Sequence, residues 1–229
     1  MSLFRPDYTR NGPGIDKNAP KKTGIALFFE IIAREFWQIC KLNVLFLVSA
    51  LPLVTFGAAR AALSRCTINM VRDVPNNVWT DFGQEFKNNF IRSTMCGLAE
   101  LFVIGVLLIL IRSTAVNENS LLQGVILSAI FAVRLFWGYF WPMLVTIDVP
   151  FAAAVKNSAA LPVLCLKHSV PAVLCGTILH MISLWFFPLS LPFIVFFTFG
   201  FSSFIISFAA WSDMQRLVLR RNENKGELE

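Results

Sequence analysis

Asn43–Leu63, NVLFLVSALPLVTFGAARAAL, is apolar and long enough to cross a bilayer, yet Pro52, Gly57 and Arg60 interrupt it midway. Whether this run crosses or turns back sets the orientation of every segment after it. The surrounding chain of 229 residues is 56% hydrophobic and 15% charged, with a mean hydropathy of +0.64. Soluble domains run at about 45–50% apolar and 25% charged, so this composition belongs in a membrane. The apolar runs are continuous and do not alternate residue by residue, which favours an all-α polytopic bundle over a sealed barrel.

Four further runs reach roughly the 20 residues that a hydrocarbon core of about 30 Å requires. They are Met95 to Ile111, Leu121 to Val145, Ser169 to Phe187, and Pro192 to Trp211. RSTAVNENS separates the first two and PLSL the last two, so the spans form two helical hairpins with small outer turns. Pro188 and Pro192 punctuate the second turn.

The basic residues decide how the broken run is read. If Asn43–Leu63 crosses once, eleven of the Lys and Arg residues fall inside and eight outside. If it turns back at Pro52 to Gly57, both termini lie on the cytosolic side and eighteen of the twenty share that side. Arg112 is left in an outer turn and Arg134 within a span. Positive charge concentrates on the inner face of membrane proteins, so the expectation is a re-entrant hairpin over 43–72 that turns at Pro52, Thr55 and Gly57. Eleven residues separate Lys41 from Pro52, about 16 Å of helix or half the hydrocarbon thickness. Ala58, Ala59, Ala61 and Ala62 offer the small surface that close helix packing needs. Arg60 is costly near the bilayer centre unless it snorkels or pairs, which places this limb along protein or toward the cytosolic face.

Amphipathic segments flank the spans. Residues 25–42 carry Glu30, Arg34, Gln38 and Lys41 as one polar stripe, predicting a helix in the membrane interface or against a partner. Trp79, Phe82, Phe86 and Phe90 recur at helical spacing within 79–94, with Lys87 beside them. A weaker echo at 151–163 aligns Val155, Lys156 and Asn157 with Phe86, Lys87 and Asn88. The two read as a candidate divergent repeat of cytosolic helix plus hairpin, and together they offer a candidate docking surface. Residues 1–24 read as a polar cytosolic leader, 25–215 as a single membrane domain and 216–229 as a cytosolic tail.

Ionisable residues inside the membrane are functional candidates by default. Arg134 and His180 each lie eleven residues from the inner end of their spans, at about 16 Å depth, and Glu100 lies five residues into the first clean span. These three form the candidate polar cluster, read either as a solute path or as a pair that fixes helix packing with His180 hydrogen-bonded in the core. Gly200, Ser203 and Ser207 share a face of the last span and mark a helix contact. HExxH, GxSxG, P-loop and CxxC motifs are missing from the sequence, so no enzymatic activity, cofactor or metal is expected. The five cysteines read as small buried hydrophobes in a reducing compartment. The net charge of +6 follows from the topology and gives no reason to expect nucleic acid.

Asn43, the LPLVTFGAARAAL run (Leu51 to Leu63), DFGQEFKNNF (Asp81 to Phe90) and VKNSAAL resemble the YesL family of bacterial membrane proteins. Those proteins typically read N-x-LW…LPIVTIGAATAAL followed by DFF-x-x-FK-x-NF. The likeness covers most of the chain after residue 24, and this chain departs from the pattern at Arg60, where the family usually has a small residue. Members are often encoded beside carbohydrate ABC importers, and no catalytic residues carry over. The resemblance implies a multi-pass protein of the bacterial cytoplasmic membrane, an accessory or regulatory partner of a sugar-importer permease. The alternative is a small-solute transporter or channel using Glu100, Arg134 and His180.

Overall fold

The computed structural model describes residues 24–75, 77–116, 119–147 and 150–219. Most of the expected leader and tail lie outside these residues. Among the described residues, helix accounts for 90% and there is no strand, as the continuous apolar runs imply. The elements are α1 (Ile25–Ala50), α2 (Phe56–Val71), α3 (Val78–Asn88), α4 (Phe90–Val116), α5 (Ser120–Thr146), α6 (Phe151–Leu164), α7 (Leu166–Trp185) and α8 (Leu191–Leu217). Four of them, α4, α5, α7 and α8, are long and apolar enough to span a membrane. α4, α5 and α8 extend past both ends of the apolar runs that mark them in the sequence, whereas α7 starts three residues before its run and stops at Trp185, two residues short of Phe187.

The first hairpin differs from its expected form. The division at 42/43 disappears, since α1 is one unbroken helix of 26 residues, about 39 Å long. It is therefore no surface helix. Its apolar face buries Ile31, Ile39, Leu42 and Phe46 against α2 and α8, while the polar stripe at Glu30, Arg34 and Lys41 stays outward. The turn at Pro52 lies at the end of this helix, eleven residues after Lys41. Phe56 at the start of α2 packs on Phe46, Phe46 on Phe199, and Phe199 on His180, which lies fourteen residues into α7.

The helix breaks only at Leu51–Pro52, where Pro52 adopts an extended conformation before a 3-10 turn over Leu53–Thr55. Thr55 closes the gap. Its hydroxyl, with one hydrogen to donate, lies within hydrogen-bond distance of the carbonyls of Ser49 (2.6 Å) and Pro52 (2.7 Å), so the turn supplies a donor to its own backbone from within. Leu51, Leu53 and Val54 are exposed around it, an apolar rim suited to lipid contact.

From this turn α2 descends through the middle of the molecule, packed on α1, α3, α4, α5 and α8. Ala58, Ala59, Ala61 and Ala62 are all buried, which lets these neighbours approach closely. The tightest approach is at Gly57, where a Cβ would fall 2.8 Å from the Ser93 carbonyl carbon and 2.9 Å from Gly97 Cα.

A second crossing joins α1 to α8, where a Cβ on Gly200 would sit 2.8 Å from the Ile39 carbonyl oxygen. Here α8 opens into a π-helical turn at Ile194–Thr198, which disturbs the usual i→i−4 bonding. Asn43, fully buried on α1, fits this irregularity. Its amide donates to the carbonyls of Ile194 (2.8 Å) and Val195 (2.6 Å), and its Oδ1 accepts from the Gly200 N–H at 2.7 Å. Asn43→Ala is expected to lower stability by about 2 kcal/mol, since buried groups lose their partner, and thermal unfolding in detergent measures it. Ser203 and Ser207 on the same helix lie within hydrogen-bond distance of Thr67 on α2 (3.2 and 2.9 Å), so the Gly200 face is a helix contact.

Candidate functional site

The Gly57–Gly97 crossing positions the polar centre. Arg60 and Glu100 each lie three residues beyond the glycine at which their helices meet, so one turn later both side chains enter the same space between α2 and α4. Glu100 is 1% exposed. Trp141 Nε1–H on α5 donates to its Oε2 at 2.8 Å, and Arg60 Nη2 lies 3.8 Å from its Oε1. This partner answers the problem that Arg60 poses in the sequence. A buried carboxylate held by one guanidinium and one indole meets the requirement that buried charge be paired.

Arg134 and His180 adjoin the pair. Arg134 lies within electrostatic reach of Arg60 and Glu100, and His180 within reach of Arg134 and Arg60. Glu100 is bonded to Arg60 and Trp141, and among the described residues no hydrogen bond or ion pair joins it to Arg134 or His180. His180 Nδ1 lies 2.6 Å from the Gly176 carbonyl, which can only accept, so Nδ1 carries the proton. Arg134, half-buried and about 18 Å of helix from Thr146, makes no hydrogen bond or close ion pair among the described residues.

A cavity of about 10 Å³, roughly the room that one water needs, adjoins Arg60 and is walled by Ser64, Trp141, Ser203 and Ser207 among others. Larger clefts of about 320 and 260 Å³ flank Pro75, at the junction of α2 and α3. They are lined by Arg34, Glu35 and Asp73 on one side and by Arg65, Asp81 and Glu85 on the other, away from the polar centre.

A second buried carboxylate escapes sequence reading. Asp213, fully buried near the end of α8, accepts from the Tyr139 hydroxyl at 2.7 Å and lies 2.9 Å from His168 Nδ1. Burial, and then the neighbouring Asp213 carboxylate, push the Cys165 thiol up from its ordinary range, with Arg216 opposing. Apart from Cys165 and His168, three residues from each other, these residues stand far apart in sequence. The one local signal is an acid two positions beyond the expected end of an apolar run.

The candidate docking surface is rearranged. Phe82 is buried and Phe86 half-buried against Ala62, Leu63, Cys66 and Met70, and rings 82, 86 and 90 form a ladder at 6.3 and 5.6 Å. Phe82 and Phe86 on α3 face α2, because an amphipathic helix beside a bundle buries its apolar face there first. Trp79, Lys87 and Lys156 remain exposed, and Asn157 is half-buried. Phe151 at the start of α6 lies under the Arg92 guanidinium at 5.2 Å.

Residues 39–110 match the family model of the protein of unknown function DUF624. The DUF624 segment runs from the second half of α1 into α4 and takes in Asn43, Gly57, Arg60, Gly97 and Glu100, while Arg134 and His180 lie beyond it. It therefore contains both glycines of the crossing and the ion pair that the crossing positions. No curated protein and no solved structure matches the chain.

Proposed function

We propose that this membrane protein is a non-enzymatic accessory or regulatory partner of an ABC-type carbohydrate importer in the bacterial cytoplasmic membrane, with both termini cytosolic. The observation that carries this reading is the closed interior. The cavity at the polar centre measures about 10 Å³, whereas pockets for small molecules measure about 300–1,000 Å³. Glu100 is engaged by Arg60 and Trp141 in a way that locks helices together. The same closure weighs against a solute path through Glu100, Arg134 and His180.

The carbohydrate setting comes from the resemblance to YesL proteins, which are members of the DUF624 family. With Phe82 and Phe86 turned inward, contact with a permease falls to the exposed Trp79, Lys87 and Lys156. A photo-crosslinking residue at position 79, activated in native membranes, is expected to capture an importer permease. Reconstitution of the purified protein alone into liposomes is expected to give no sugar flux. Flux without a partner would sink the accessory reading.

A further inference from the structure

We propose that the cleft between α2 and α3 beside Pro75, about 260 Å³ in volume, is a binding site for one neutral, hydroxyl-rich small molecule of monosaccharide size. It lies away from the polar centre, at the end of α2 remote from the Pro52 turn. Its lining is almost wholly polar, with Pro75 as an apolar edge. Asn69, which reaches it from α2, carries the argument. This residue is 7% exposed and its backbone carbonyl accepts from the Val74 N–H at 3.1 Å, yet its side-chain amide has no hydrogen-bond partner among the described residues. A buried amide is ordinarily satisfied, and the cleft is the space onto which this one opens.

Unspent bonding capacity continues around the cleft. Asp81 accepts from the Asn77 N–H at 3.0 Å through Oδ2, and Glu85 from the Asn89 amide at 2.6 Å through Oε1. Each carboxylate keeps a second oxygen without a partner among the described residues. Arg65 gives a hydrogen on Nη1 to the Val145 carbonyl and retains its other donors, while the exposed Gln84 and Asn88 add amides that both donate and accept. That set narrows the ligand. Two carboxylates repel an anion. A metal ion would meet the Arg65 guanidinium, and no third His, Cys, Asp or Glu joins the two acids among the described residues. An apolar molecule would strip water from these polar groups and gain little beyond Pro75. A molecule with several hydroxyls donates to the carboxylate and amide oxygens and accepts from the amide and guanidinium N–H groups, with no charge mismatch. The volume lies just under the range of about 300–1,000 Å³ for small-molecule pockets, which suits a single ring and not an oligosaccharide. The site does not depend on the importer reading; only the compartment that supplies the ligand, the cytosol, follows from the proposed topology.

The test is isothermal titration calorimetry on the full-length protein in a detergent without a sugar headgroup. The probes are a panel of neutral pentoses, hexoses and alditols, beside spermidine, calcium chloride and inorganic phosphate. At least one neutral member is expected to bind with single-site saturation. Asn69→Ala, which removes an amide that no other described residue uses, is expected to weaken that binding about tenfold, and Gln84→Ala, at an exposed position, about threefold. A permease plays no part in this readout, so failure of crosslinking at position 79 would leave the site standing. Absence of binding by every neutral member, or binding only of spermidine, calcium or phosphate, would overturn the proposal. Sugar binding that both variants leave unchanged would place the ligand elsewhere and overturn it equally.

Discussion

Leucine in place of Gly57 is expected to drive α2 away from α4 and to destabilise the protein by about 3 kcal/mol or more. The reason lies in what a side chain would meet. Even the first carbon would reach backbone, at the Ser93 carbonyl and at Gly97, and backbone cannot rotate aside as the end of a flexible side chain can. Relief requires the two helices to separate along a contact that is among the most extensive in the bundle. Separation would also pull Arg60 away from Glu100 one turn further on, so packing and charge pairing fail together. Denaturant-induced unfolding in mixed micelles measures the loss. Gly83→Leu is a matched control, because a Cβ there meets nothing within 4 Å, and it is expected to cost about 1 kcal/mol or less.

Glu100→Ala is expected to have a similar effect for a different reason. Removing the carboxylate leaves Arg60 without its counter-charge and the Trp141 indole N–H without its acceptor, both in the interior. Breaking a buried pair from one side costs about 3–5 kcal/mol, because the remaining charge stays desolvated. The double variant Glu100→Ala with Arg60→Ala removes both partners and is expected to recover part of that loss. Non-additivity in the double-mutant cycle measures their coupling, and strict additivity would show that the two groups do not interact.

Much of this fold is legible in the sequence because lipid imposes length. Runs of about 20 apolar residues have few alternatives to spanning helices, and the four that stand out in the sequence are the four long apolar helices of the structure. The first hairpin is less transparent. Asn43, two residues after Lys41 and at the head of an apolar run, reads locally as a boundary between two segments. Its true setting depends on carbonyls of residues 194 and 195, at the far end of the chain. A helical period likewise reveals that Phe82, Phe86 and Phe90 share a face but not which neighbour that face meets. Small residues along α2 leave room for the α3 rings, and that complementarity appears only in three dimensions.

The polar centre shows the same division. Glu100, Arg134 and His180 stand out as ionisable residues in apolar runs, and such residues gather because each is costly alone. Arg60 looked like a liability of its own segment because its partner lies forty residues later. Asp213 gave less warning still, with Tyr139 and His168 converging on it from two other helices.

The tie between Asn43 and α8 also bears on the order in which the chain can be assembled. Its hydrogen-bond partners are made 151 to 157 residues after it. At about 5–20 residues per second, roughly 8–30 s of synthesis separate the asparagine from the backbone that satisfies it. During that interval the Asn43 side chain lacks the backbone partners on α8 that it has in the finished fold. The first hairpin is made early but is completed last.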